Sequence, residues 1–347
     1  MGQGSAGRAR SARAVRRGVA ISIAIVLAAL LVPGIAGAAG TSPRMHHNPR
    51  GKFLGLVPSA ASRDSRRFPA QGNPPLRYHG GPVQHSSRVY SIFWSPPGFS
   101  FPSGYGAQVN GYFTDVAADS FKRTNVYASD TQYYDVVNGN RRYITYDVRN
   151  GGAITDTAPM PASGCPNYRL SNHTFTRACL TDQQQRAEIN RVIAARGLPR
   201  GIGVEYFLFM PQQLGSCFDA SGRADGCYDT DYCAYHSQIG GGAAVTLYSS
   251  MPFAKTAGCD PGATPRGTAA EAVLNVTSHE HNETITDPTG GGWYDSSGYE
   301  NGDECSFDFG ATHFNGFGYY NQVINGTQYL LQQEWSNHSN RCVQRGV

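Results

Sequence analysis

The sequence predicts a single α/β domain, a mixed β-sheet layered with helices and stapled by disulfides. Three observations predict it. Segments with strand and helix patterning alternate along the chain. Eight cysteines, an even number, all fall from Cys165 onward. One late helix is dense in histidine and carboxylate residues, where an ordinary surface helix would show one apolar face.

The N-terminus sets the compartment. Arg8, Arg10, Arg13, Arg16 and Arg17 precede an apolar run of fourteen residues, Val19 to Val32. A helix spanning a bilayer needs about 20. Pro33-Gly34 breaks the run, and Ala36-Gly37-Ala38 offers a small-x-small cleavage site. Residues 1–38 are therefore expected to be a removable signal peptide. The protein is expected to be secreted, extracellular and monomeric, with no stable membrane span after cleavage. Arg16-Arg17 leaves both the Sec and the twin-arginine export routes open. Removing five arginines takes the formal charge from +4 to about −1, so charge gives no reason to expect nucleic acid as a partner.

Residues 39–75 are rich in Pro, Ser, Arg and Gly. Such a composition buries too little apolar surface to offset chain entropy, and the segment is read as a flexible leader or propeptide. Residues 76–347 form the domain, a length that one core can fill. Arg88–Trp94 reads as a strand before Pro96-Pro97. Gln108–Phe121 has helical spacing, with Val109, Tyr112, Phe113 and Val116 on one side. Tyr143–Val148 alternates like a strand. A helix opens at Thr181-Asp182, runs to Arg196 and stops at Gly197-Leu198-Pro199. Gly203–Met210, a run apolar but for Glu205, fits a central strand, and Ala243–Ser249 fits another. A long helix starts near Thr268, where Thr268-Ala-Ala-Glu271 has capping-box form. Residues 310–342, rich in Gly, Asn and Tyr, read as hairpins.

An even cysteine count in an exported chain reads as disulfides, and no C-x2-C pair suggests a thiolate metal site. Spacing does not decide connectivity. Pairing neighbours along the chain gives Cys165–Cys179, Cys217–Cys227, Cys233–Cys259 and Cys305–Cys342.

The chemistry gathers on the late helix. Of only eight glutamates, Glu271, Glu280, Glu283, Glu300 and Glu304 fall within 34 residues. His279 and Glu283 are i and i+4, so they project from one face a turn apart. An imidazole and a carboxylate so placed can grip Zn2+. Glu280 lies about 100° around the helix, placed to act on water as a general base without ligating. This is the logic of H-E-x-x-H with glutamate in place of the second histidine. The third metal ligand is expected from the following loop: Glu300 first, with Asp303 and Asp295 as alternates. Asp295, Glu300, Asn301 and Asp303 also suit Ca2+, although EF-hand spacing is absent. His281 is expected at the surface. His79, His85, His173, His236, His313 and His338 are scattered and individually uninformative, although His313 is a candidate for a transition-state donor. Two of the N-x-S/T sequons, at Asn275 and Asn282, fall on the metal helix, where a glycan would not fit.

Several segments together resemble the plant phosphate-induced, or Exordium-like, family of secreted proteins. They are Leu76–Val83 with Val89–Trp94, the cysteine-bearing stretch Cys217–Cys259, Thr284–Pro288 through Gly292–Tyr294, and Gln328–Leu331 through Glu334–Ser336 and Cys342. The resemblance spans residues 76 to 342. It implies a cell-wall-associated role in growth control, with no established enzymatic activity. The chain departs from the family where the chemistry lies: the family's helix is apolar at the positions of His279, Glu280 and Glu283, and its exit loop lacks a counterpart of Glu300. A metal-binding helix placed after a mixed sheet is also similar to zincin metallopeptidases. The leading expectation is a zincin-like domain acting as a secreted zinc-dependent hydrolase, a metallopeptidase, with a peptide or cell-wall-associated substrate. The alternative is a non-catalytic, cell-wall-associated binding protein of Exordium type with structural calcium.

Overall fold

The computed structural model describes residues 54–59, 75–222 and 226–346, all within one compact unit, Ser42–Val347. The expected signal peptide lies outside the described residues. Six strands make the main sheet: β1 (Leu54–Pro58), β2 (Ser87–Trp94), β3 (Val148–Asp156), β4 (Val204–Phe209), β5 (Tyr232–Ile239) and β6 (Thr246–Met251). Their order across the sheet is β1-β5-β6-β4-β2-β3. β6, β4, β2 and β3 run parallel, while β5 is antiparallel to both β6 and β1. The sheet is mixed, as expected.

Parallel neighbours need crossover connections. Helix α1 (Tyr105–Ala118) lies between β2 and β3, and α2 (Asp182–Arg196) between β3 and β4. α1 buries Tyr105, Val109, Tyr112, Phe113 and Val116, the stripe read from the sequence. It starts three residues earlier than its spacing suggested, after Gly104 in a left-handed conformation. α2 has a capping box, Thr181 with Gln184, and ends at Gly197, also left-handed. β4 is the apolar strand expected at the centre. Glu205 nonetheless sits within it, fully buried, accepting hydrogen bonds from Ser249 Oγ at 2.6 Å and Thr284 Oγ1 at 3.1 Å.

Four readings change. Tyr143–Val148 is not a ladder strand: a short hairpin strand ends at Tyr143 and β3 begins at Val148. Ile144, Tyr146 and Val148 are buried, so the alternation reports side-chain burial without strand pairing. The strand read at Ala243–Ser249 is shifted to Thr246–Met251, with a 3-10 turn over Gly242–Ala244. β5 was not singled out. Part of the presumed flexible leader, Leu54–Pro58, is the sheet's edge strand. Three hairpins follow from His313 to Val343, as expected.

The cysteines pair as neighbours: Cys165–Cys179, Cys217–Cys227, Cys233–Cys259 and Cys305–Cys342. Among the described residues no helix is long and apolar enough to cross a membrane.

The third helix, α3 (Ala269–Thr286), decides where the chemistry sits. Its capping box is reciprocal between Thr268 and Glu271, and it ends ahead of Pro288, whose ring disfavours helical geometry in the residue before it. Every residue from Ala270 to Thr286 is buried. It packs against α1, β1, β5 and β6. A helix buried on all sides is normally apolar. This one carries His279, Glu280, His281, Asn282 and Glu283 in its third and fourth turns.

Candidate metal centre

His279 and Glu283 face each other across one turn, Nε2 to Oε1, at 3.0 Å. Asp303, on the 3-10 turn Asp303–Cys305, brings Oδ1 to 3.7 Å from His279 Nε2. Its backbone N–H donates to Glu283 Oε1 at 2.8 Å. A second group shares the same glutamate: His236 Nε2, from β5, lies 3.3 Å from Glu300 Oε2 and 3.8 Å from Glu283 Oε2. Each trio offers one ligand atom per residue, all within 4.8 Å of one another. Glu283 thus presents one oxygen to His279 and Asp303 and the other to His236 and Glu300.

The predicted ligands are therefore brought together, but not in the predicted grouping. Asp303, the alternate, joins His279 and Glu283. Glu300, the first choice, joins His236 and Glu283. Asp295 enters neither trio, because its Oδ1 accepts from the backbone N–H groups of Ser297 at 2.7 Å and Tyr299 at 2.8 Å. Asn301, the fourth oxygen donor of the calcium reading, bonds to Asp130 Oδ1 and Thr286 Oγ1.

Glu280 is fully buried, and neither of its oxygens has a hydrogen-bond partner. Burial, then the charges of Glu283 and Asp303, push its pKa well above the carboxylate range, against the opposing pull of His279. Glu283 is raised to about 7 by burial and by Asp303. Burial opposes a charge on His279, yet Glu283, Asp303 and Glu280 outweigh it and hold the imidazole well above 6.5. Glu300 and Glu334 are also raised, chiefly by burial. So many desolvated carboxylates in one place are costly unless a proton or a cation compensates them.

The turn that supplies Asp303 is tightly held. Gln332 Nε2 donates to Gly302 O at 2.7 Å, and Gln332 N–H donates to Asn275 Oδ1 on α3 at 2.7 Å. Trp335 N–H donates to Asn301 O, and Cys305–Cys342 anchors the turn's end. Gly302 is needed for close approach: a Cβ there would stand 3.0 Å from His279 Nδ1 and from Glu283 Oε1.

His281 is not at the surface. It is fully buried between Tyr127 Oη at 3.0 Å and Ser87 Oγ at 2.9 Å, and burial lowers its pKa to about 3. It is a neutral, hydrogen-bonded strut tying α3 to β2. His313 is exposed on a hairpin against the Tyr320 ring and belongs to neither trio. Asn275 and Asn282 are fully buried, which leaves no room for glycans. The sequence reading missed His236, Glu334, Gln332 and Gly302. The one available signal was a lone histidine within the Tyr- and Cys-rich run Tyr232–Ile239.

The chain matches no protein-family model, no curated protein and no solved structure.

Proposed function

We propose that the protein is a secreted zinc-dependent hydrolase of zincin-like type, acting on peptides. The observation that carries this reading is the buried trio His279, Glu283 and Asp303 with Glu280 beside it on the same helix. The donor set fits the metal: one imidazole nitrogen and carboxylate oxygens are ordinary zinc ligands. Both Glu280 oxygens, buried with no hydrogen-bond partner beside the trio, fit it too. Zinc held there supplies the Lewis acidity that brings the pKa of water towards about 7. His279, Glu283 and Asp303 hold the ion. Glu280, with both oxygens uncommitted, accepts a proton from the attacking water and returns it to the leaving group. Secretion is supported by the N-terminal signal pattern and by the four disulfides, which belong to an oxidising compartment.

Metal analysis of the purified protein tests the proposal. About one zinc per chain, lost in Glu283→Ala, is the expected result. A protein free of zinc after incubation with the metal overturns it.

One observation favours a second reading. Every residue of both trios is at most 1% exposed, as suits a structural ion in a non-catalytic, cell-wall-associated protein of Exordium type. Bound metal with no hydrolysis of protein substrates under any condition decides for that reading.

A further inference from the structure

The sheet edge beside the metal centre is occupied by the chain's own leader. β1 pairs antiparallel with β5 in the register Leu54–His236, Leu56–Tyr235, Val57–Ala234 and Pro58–Tyr232. The strand therefore passes directly beside His236, a member of the second trio. It also packs on α3 and on the Asp303–Cys305 turn. Val57 and Ser59 are fully buried. Ser59 donates from its backbone N–H to Asp231 O at 3.1 Å and from Oγ to Thr230 O at 2.6 Å.

This strand differs from the other five. They lie within residues 87–251 and are joined through α1, α2, the long 210–231 connection and one hairpin, whereas β1 stands well ahead of them in sequence. It comes from a segment whose composition does not form a core of its own. Its Pro58 is tolerated because proline is confined to edge strands and strand ends. Without β1, β5 would present a row of unpaired N–H and C=O groups, the kind of edge to which an extended chain adds as a strand.

We propose that β5 is a strand-accepting site for extended polypeptide, and that Leu54–Ser59 fills it as an intramolecular stand-in for that ligand. The site takes a peptide backbone antiparallel to β5, with a medium-sized apolar side chain in the place of Val57. The backbone gives affinity through the ladder, and the Val57 position gives selectivity. As the substrate site of the hydrolase, this rests on the function proposed above. As a peptide-binding edge, it does not.

The test uses the full chain. A fluorescein-labelled synthetic peptide of residues 52–60 is titrated against the wild type, Val57→Asp and Leu56→Pro, with binding read by anisotropy. Hydrogen–deuterium exchange follows the amides of Leu54–Ser59 and Tyr232–Ile239. The first variant places a charge at a buried position, and the second puts a φ-restricted proline inside the strand. Two variants guard against a fold lost in one.

In the variants the strand is expected to exchange freely, and the labelled peptide to bind at least tenfold more tightly than to the wild type, restoring protection to Tyr232–Ile239. Freed leader amides with no gain in peptide binding overturn the proposal. So does equal binding to all three proteins. Peptide binding by the variants, without zinc-dependent cleavage of any protein substrate, supports the edge and overturns the hydrolase reading. The two failures are thereby separable.

Discussion

At the scale of single residues, the centre is a set of desolvated acids with different duties. Neither oxygen of Glu280 has a hydrogen-bond partner, which holds for Glu334 as well, but Glu280 is the one beside His279 on the helix. Glu280→Gln keeps its shape and removes its basicity. Zinc content is expected to stay near one per chain while peptide hydrolysis falls by about 10²- to 10⁴-fold; unchanged cleavage would reject the assigned base. Glu205 has a purely structural version of the same problem. Burial raises it to about 8 from 4.5, against the hydrogen bonds from Ser249 and Thr284. The folded state keeps a proton that the unfolded chain releases above 4.5. Its contribution to stability is therefore complete below 4.5 and is lost as pH rises towards 8, with a slope of up to about 1.4 kcal/mol per pH unit. Urea midpoints of wild type and Glu205→Gln at pH 5 and pH 8 measure this. The variant is expected to lose that slope.

At the scale of elements, α3 shows what could and could not be read in advance. Its start is local chemistry: Thr268 and Glu271 satisfy the first free amides, and Pro288 closes the other end, so the helix was legible. So was the facing of His279 and Glu283, which follows from 3.6 residues per turn. The burial of His281 was not legible, because a helical repeat does not say how many of its sides are covered. The choice between Glu300 and Asp303 was equally hidden. Both lie within reach of the helix in sequence, and the 3-10 turn at Asp303 selects which oxygen meets His279. That turn tolerates no side chain at Gly302. A methyl group there would press on both helix ligands, so Gly302→Ala is expected to weaken zinc binding about 10- to 100-fold, in the range of other supporting-residue changes. Competition with a chelator measures it, and unchanged affinity would show that the turn yields without moving the ligands.

At the scale of the whole molecule, the centre joins parts of the chain that are distant in sequence. β5 supplies His236, α3 supplies His279 and Glu283, and the Glu300–Cys305 segment supplies the acids. Cys305–Cys342 closes a separation of 37 residues around that last piece. Replacing both cysteines by serine is expected to cost about 4 kcal/mol by the loop-entropy relation and to loosen zinc binding at the same time. Thermal unfolding with and without added zinc checks both. A stability loss with intact zinc affinity would place the bridge outside the centre's support.

The sequence by itself offered the neighbour pairing of the cysteines without deciding it, and determined the α/β class of the domain, the capped helices, the central apolar strand and the facing of His279 and Glu283. These follow from periodicity, capping and spacing, which act over a few residues. Only the tertiary structure decided that α3 is buried on every side, that His236 joins the carboxylates, that Asp303 outranks Glu300 beside His279, and that Leu54–Pro58 completes the sheet. Each of these depends on contacts between distant segments. An edge strand such as Leu54–Pro58 is stabilised by the partner it pairs with, and no pattern within its own few residues names that partner.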